Sequence, residues 1–128
     1  MKIKIICLAV TVLLLATALS PDARAEEIDV RLLAYAIESA ARGESYTVMV
    51  SVGAVLINRL TDESYPSSLG AVIADAGIDI SVGEPSSRAL RAAADASCGF
   101  DPTGGALHYK NGVYEGRTAI ATDSWSFY

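Results

Sequence analysis

The stretch DVRLLAYAIESAARGESYTVMVSVGAVLINRL, residues 29–60, decides the fold. It reads as two helices separated by a glycine. Asp29 supplies a side-chain oxygen to cap a helix over residues 30–42. Val30, Leu33, Ala34, Ile37 and Ala41 recur at helical spacing and make one apolar face. Gly43 follows as the stop. The second segment, residues 47–60, carries Val48, Met49, Val50, Val52, Val55, Leu56 and Ile57. Its β-branched content suits a strand, but its length and lack of breakers favour a buried helix. Gly53 in the middle costs about 1 kcal/mol of helix propensity, so another part of the chain is expected to pack closely there.

Working outward, Ser67 or Ser68 starts a third helix with Leu69, Val72, Ile73 and Ala76 inward and Gly77 at its end. Residues 78–84 read as a loop. Pro85 suits the first turn of a fourth helix over residues 85–97, where no N–H is needed. Leu90, Ala93, Ala94 and Ala96 suit tight packing on that helix, which Gly99 stops. From Ala106 the pattern changes. Leu107-His108-Tyr109-Lys110, then Asn111-Gly112, then Val113-Tyr114 reads as a hairpin with an Asn-Gly turn. Residues 118–122 and 125–128 add strand-like runs, with Asp123-Ser124 as the turn between them. The expected fold class is α+β, a helical body with a small C-terminal antiparallel sheet.

Upstream of this body the chain is of another kind. Hydrophobic residues make up 52% of the sequence, and the excess is local. Residues 5–19 are all apolar or small, preceded by Lys2 and Lys4 and followed by Ala23-Arg24-Ala25. A charged start, a short apolar run and an A-x-A site make a secretory signal peptide, and the run is short of the roughly 20 residues of a spanning helix. The expected division is residues 1–25 as signal peptide and 26–128 as one domain. Left uncleaved, the segment would tether the domain to a membrane.

Past residue 25 there are 14 acidic and 7 basic side chains. With no basic stripe, nucleic acid is excluded as a partner. Cys7 falls in the signal segment, so Cys98 stands alone and has no partner for an internal disulfide. It reads as a small buried residue on the fourth helix. One histidine, His108, and one cysteine do not make a zinc site, and no metal or cofactor is expected. Asp101-Pro102-Thr103-Gly104-Gly105 reads as a turn in which Asp101 accepts hydrogen bonds from backbone N–H groups. Arg42 and Arg59 are expected to brace the first two helices. Tyr109, Tyr114, Trp125 and Tyr128 suit either a platform for pyranose rings or ordinary cross-strand pairs.

Three stretches in order carry a resemblance: Ala41-Arg42-Gly43-Glu44-Ser45-Tyr46, Val52-Gly53-Ala54-Val55-Leu56-Ile57-Asn58-Arg59, and Asp101-Pro102-Thr103-Gly104-Gly105-Ala106-Leu107-His108-Tyr109. Together they resemble the catalytic domain of the spore cortex-lytic, cell-wall hydrolase family. The resemblance implies a lysozyme-related α+β domain acting on peptidoglycan as lytic transglycosylase or glycosidase, in the spore cortex or cell envelope. Such chemistry needs a carboxylic acid to protonate the glycosidic oxygen. In a lytic transglycosylase the sugar's own 6-hydroxyl closes the ring, so no second carboxylate is required, unlike the paired carboxylates of ordinary glycosidases.

The family's pattern reads Glu-Ala-Arg-Gly-Glu, and its first Glu is the acid. In this chain that position is Ala40. The substitutes are Glu38 and Glu44. Glu38 lies two residues away, roughly 200° around a helix. Glu44 returns to the same side only if the chain does not bend at Gly43. The resemblance further implies substrate contacts from Arg42, Asp101, Thr103, Tyr109 and Trp125. It also points to Ser81, in Ile80-Ser81-Val82, as remnant of a Phe-Ser or Phe-Thr element. The family's His-x-Phe-Tyr ending is here Trp125-Ser126-Phe127-Tyr128. Three functions fit these residues: an active glycan-cleaving enzyme, a degenerate glycan-binding or regulatory domain, and a structural spore-envelope protein.

Overall fold

The structure, a computed structural model, describes residues 28–81, 83–112, 120–122 and 124–128. The expected signal segment and the Val113-Tyr114 half of the expected hairpin lie outside these. Four helices precede a small sheet: α1 (Val30–Ala41), α2 (Tyr46–Leu60), α3 (Leu69–Asp75) and α4 (Ser87–Ser97). The strands are β1 (Tyr109–Asn111), β2 (Ile120–Thr122) and β3 (Trp125–Phe127). The α+β class expected from the sequence is the one observed.

Each helix starts on a short polar side chain. Asp29 accepts from the Leu32 N–H, Ser45 from Val48, Ser68 from Ala71 and Ser86 from Ala89, which satisfies one otherwise orphaned N–H in each first turn. Pro85 therefore precedes the cap instead of occupying the first turn of α4. The Ser86 side chain bonds the first turn, so the helix begins after it and the proline stands outside.

Helix α2 is the centre of the body. Nine consecutive residues, Val48 to Leu56, are buried, with α1 and α4 packed against it. Burial on all sides removes the need for an amphipathic stripe, which is why its pattern resembled a strand. A Cβ on Gly53 would stand 2.9 Å from Ile37 Cδ1 and 3.1 Å from Ala96 Cβ. The close approach expected there is thus made by side chains of both neighbouring helices.

Helix α4 sits in a different rotation from the one expected. Ala89, Ala92, Ala93 and Ala96 face inward, whereas Leu90 and Ala94 are exposed. Small residues let α4 approach α1 and α2 closely, and the larger Leu90 is turned out. Cys98 caps the helix and is exposed, so its expected burial is corrected: it lies beyond the inward stripe.

The sheet has the order β1-β3-β2, both pairs antiparallel. Thr122 pairs with Trp125, and Asp123 of the expected Asp123-Ser124 turn lies outside the described residues. Asn111 lies within β1 opposite Trp125, and Lys110 is opposite Ser126. β1 thus pairs with the end of the chain, while the second half of the expected Asn111-Gly112 hairpin lies outside the described residues. His108 and Tyr128 exchange backbone hydrogen bonds of 2.8 and 3.0 Å, extending that ladder. Phe127 is fully buried and joins the helical core. Among the described residues no helix is long and apolar enough to cross a membrane.

Candidate active site

The turn between α1 and α2 holds three of the sequence-derived residues. Arg42 has φ −56° and ψ 129°, Gly43 has φ 76°, and the Glu44 N–H donates to the Ala41 carbonyl at 3.1 Å. These are the features of a type II turn, whose third position needs a positive φ and so a glycine. The turn ends the helix, so Glu44 does not continue the helical path that would return it to the side of Ala40. Ala40 itself is half-buried and packs against the core.

The two candidate acids differ in their surroundings. Glu38 is buried, with 10% of its side chain exposed. Its Oε2 accepts from Ser86 Oγ at 2.8 Å and from the Ser86 N–H at 3.4 Å. Its Oε1 lies 3.5 Å from Arg42 Nε, one turn along. Arg31 binds Glu84 instead, at 2.7 Å. Glu44 is partly exposed, and among the described residues its carboxylate has no hydrogen bond or ion pair.

A second cluster is built on the loop before β1. Asp101 Oδ1 accepts from the Thr103 N–H at 2.8 Å and from Thr103 Oγ1 at 2.6 Å. Its Oδ2 accepts from the Gly105 N–H at 2.9 Å and from Asn58 Nδ2 at 3.0 Å. Partial burial would by itself raise the Asp101 pKa. The bonds from Thr103, Asn58 and Gly105 outweigh it and hold the carboxyl below the usual range. Asp101 is therefore an ionised anchor, in no position to donate a proton near neutrality. Thr103 is 2% exposed and its hydroxyl also accepts from the Ala106 N–H at 3.1 Å.

Asn58, at the end of α2, is a residue the sequence reading missed. It donates to both Asp101 and the Ala106 carbonyl, the latter at 3.0 Å. The signal was present in the Asn58-Arg59 pair that closes the second motif. Its neighbour Arg59 does not brace α1. Its Nε donates to the Leu107 carbonyl at 2.8 Å, and its guanidinium stands 4.9 Å from the Tyr65 ring centre and 5.9 Å from that of Tyr109. Asn58 and Arg59 together bind the second motif to the third.

The aromatic residues divide into two groups. Tyr109, Trp125 and Phe127 form one, with ring centres 5.7 to 6.4 Å apart. Trp125 is 6% exposed, so its ring lies in the sheet's packing. Burial pushes the Tyr109 phenol up, against the opposing effect of Arg59. The other group is nearer the surface: His108 stacks on Tyr128 at 5.3 Å, and Tyr65 meets His108 edge-on at 6.4 Å. Ser81 is exposed in the loop after α3, where its N–H and hydroxyl bond Asp79 Oδ1 at 2.9 and 2.6 Å. Those two bonds hold the Asp79 carboxyl below its ordinary value. The structure thus joins Asp101 with Thr103, Tyr109 with Trp125, and Glu38 with Arg42. Among the described residues no hydrogen bond or ion pair links Glu44 or Ser81 to any of these.

Comparison with known proteins places this arrangement among relatives. The sequence profile of the Cell Wall Hydrolase family matches residues 43–126, beginning three residues after Ala40. Spore cortex-lytic enzymes of Bacillus cereus and Bacillus subtilis are each 38% identical over 89 residues, 65% of this chain. Those residues span 34% and 29% of the two relatives, so the chain covers about a third of the curated relatives it matches. The crystal structure of the catalytic domain of Bacillus cereus SleB is similar at a TM-score of 0.65 and 32% identity, over 77% of this chain and 88% of that one. The catalytic domain of the germination-specific lytic transglycosylase SleB from Bacillus anthracis gives 0.64 and 30%, over 84% and 98%.

Proposed function

The chain belongs to the cell wall hydrolase family, and on that premise we propose that it is an exported domain that cleaves peptidoglycan glycan strands by lytic transglycosylase chemistry, with Glu44, which the bend at Gly43 keeps off the side of Ala40, as the proton donor from a position of its own. The observation that carries the assignment is the contrast between the two carboxyls. Glu38 is tied to Ser86 and Arg42, while Glu44 has no hydrogen bond or ion pair among the described residues and lies within the matched residues. Relatives named as spore cortex-lytic enzymes and as a germination-specific lytic transglycosylase support peptidoglycan as the partner and the spore cortex or cell envelope as the location.

In this reading Glu44 protonates the glycosidic oxygen as the bond to C1 breaks. The sugar's 6-hydroxyl then bonds to C1 and returns its proton to the Glu44 carboxylate. The acid is regenerated and no water is consumed. Arg42, next to Glu44 on the turn, is suited to the carboxylates of the glycan's peptide stems. Asp101 and Thr103 act less directly, by fixing the loop that leads into Tyr109. Ser81, exposed beside the helical body, is the remaining polar contact for the strand. Trp125, being buried, supports Tyr109 from behind.

The test is incubation of the purified protein with spore cortex and with vegetative peptidoglycan, scoring anhydro-muramic ends against reducing ends. Anhydro ends that vanish in Glu44→Gln support the reading. A fully active Glu44→Gln protein removes Glu44 from the chemistry, and reducing ends in their place make the enzyme a hydrolytic glycosidase.

A further inference from the structure

A pocket on the N-terminal half of α1 involves none of the site residues above. Asp29, Arg31, Leu32, Tyr35 and Ile80 line it, and its volume is about 410 Å³. Ligand pockets span roughly 300–1,000 Å³. Leu32, the Tyr35 ring and Ile80 supply apolar surface, and Ile80 is 41% exposed.

The polar groups of the rim are already matched to one another. Arg31 binds Glu84 at 2.7 Å, and the Tyr35 hydroxyl donates to the same carboxylate at 2.9 Å. The Arg31 guanidinium stands 5.7 Å from the Tyr35 ring centre, and Asp29 accepts from the Leu32 N–H at 3.0 Å. An anionic ligand would have to detach Arg31 from Glu84 and face Asp29. A cationic ligand would stand against the Arg31 guanidinium in the lining. A neutral ring edged with hydroxyls meets neither obstacle. Each hydroxyl both donates and accepts, so it can add to the unused lone pairs of Asp29 and Glu84. The ring's C–H face and an acetamido methyl cover Leu32, Tyr35 and Ile80.

We propose that this pocket binds one uncharged N-acetylhexosamine unit of a glycan strand. The inference rests on the glycan substrate proposed above and adds a subsite to it. Along α1, Leu32 lies about 14 Å from the turn that follows Ala41. The pocket therefore holds the strand at a distance from the cleavage point, and Tyr35 and Ile80 are positioning residues.

The experiment titrates the purified full chain with chitotetraose, the β-1,4 tetramer of N-acetylglucosamine, and with cellotetraose, which lacks the acetamido groups. Tyr35→Ala and Ile80→Ser are measured beside it, with folding followed by circular dichroism. Because Ile80 is exposed, its variant keeps the test available should Tyr35→Ala fail to fold. Chitotetraose is expected to bind more tightly than cellotetraose, and each variant to weaken it about tenfold. In cleavage assays KM rises while kcat holds. A protein that cuts peptidoglycan but binds chitotetraose no better than either variant overturns the subsite and leaves the cleavage reading standing. A protein that binds chitotetraose through Tyr35 and Ile80 yet yields no anhydro ends leaves the subsite standing and overturns the cleavage reading.

Discussion

Glu38 Oε2 and Ser86 Oγ lie 2.8 Å apart in a hydrogen bond that joins the last turns of α1 to the cap of α4. A buried carboxylate held this way acts as a strut. Removing it deprives Ser86 of its acceptor, a loss of about 1–3 kcal/mol. Glu38→Ala should therefore lower Tm by several degrees, at roughly 4–8 °C per kcal/mol, while activity per folded molecule is kept. Calorimetry with a cleavage assay checks both. Lost activity at unchanged Tm would instead make Glu38 the acid.

Ala40 offers the converse experiment. It sits in the last turn of α1, at the position the family resemblance assigns to the acid. The substitution Ala40→Glu adds a carboxyl there and leaves Arg42 and Gly43 themselves unchanged. Anhydro-end formation should rise, by roughly 10²-fold or more if the new carboxyl acts as a full general acid. The rise should persist when Glu44→Gln is added. No change would mean that position 40 does not face the scissile bond.

Gly53 is held between Ile37 and Ala96. Gly53→Leu places a good helix former in α2, so any loss reflects packing and not propensity. Overpacking should cost about 1–3 kcal/mol or more. Denaturant midpoints measure this, and a neutral result would mean that α1 and α4 can move apart at no cost.

Asp101 gives the fold an acid-sensitive contact. Its carboxyl titrates lower in the folded chain than the roughly 3.9 of an unfolded aspartate. The stability it contributes is complete above that unfolded value and is lost as pH falls through the lower native one. Asp101→Asn should be less stable than the parent at neutral pH, and the gap should narrow with acidification below about pH 4. Thermal melts of both proteins from pH 7 to pH 3 test the sign. A gap that stays constant would show that Asp101 titrates alike in both states.

The four helices were readable because their signals are local. The spacing of Leu33, Ala34 and Ile37 and the oxygen of Asp29 act within one or two turns. The Arg42-Gly43 bend is set by a single positive φ. The candidate site was less legible. Asp101 could be read as an acceptor of nearby N–H groups, whereas its bond to Asn58 crosses 43 residues. The burial of Glu38 was not legible, because its partner Ser86 is 48 residues away.

The sequence by itself determined the order and number of the helices, the bend after Ala41, the need for a small residue at position 53 and the family to which the motifs belong. Tertiary structure decided the pairing of β1 with β3, the inward rotation of α4, the burial of Glu38 and Trp125, and the pocket beside Tyr35. The first set depends on hydrogen bonds and steric limits among chain neighbours, which a sequence states directly. The second depends on which distant surfaces exclude water from one another, and that is fixed only when the helices and sheet are packed together.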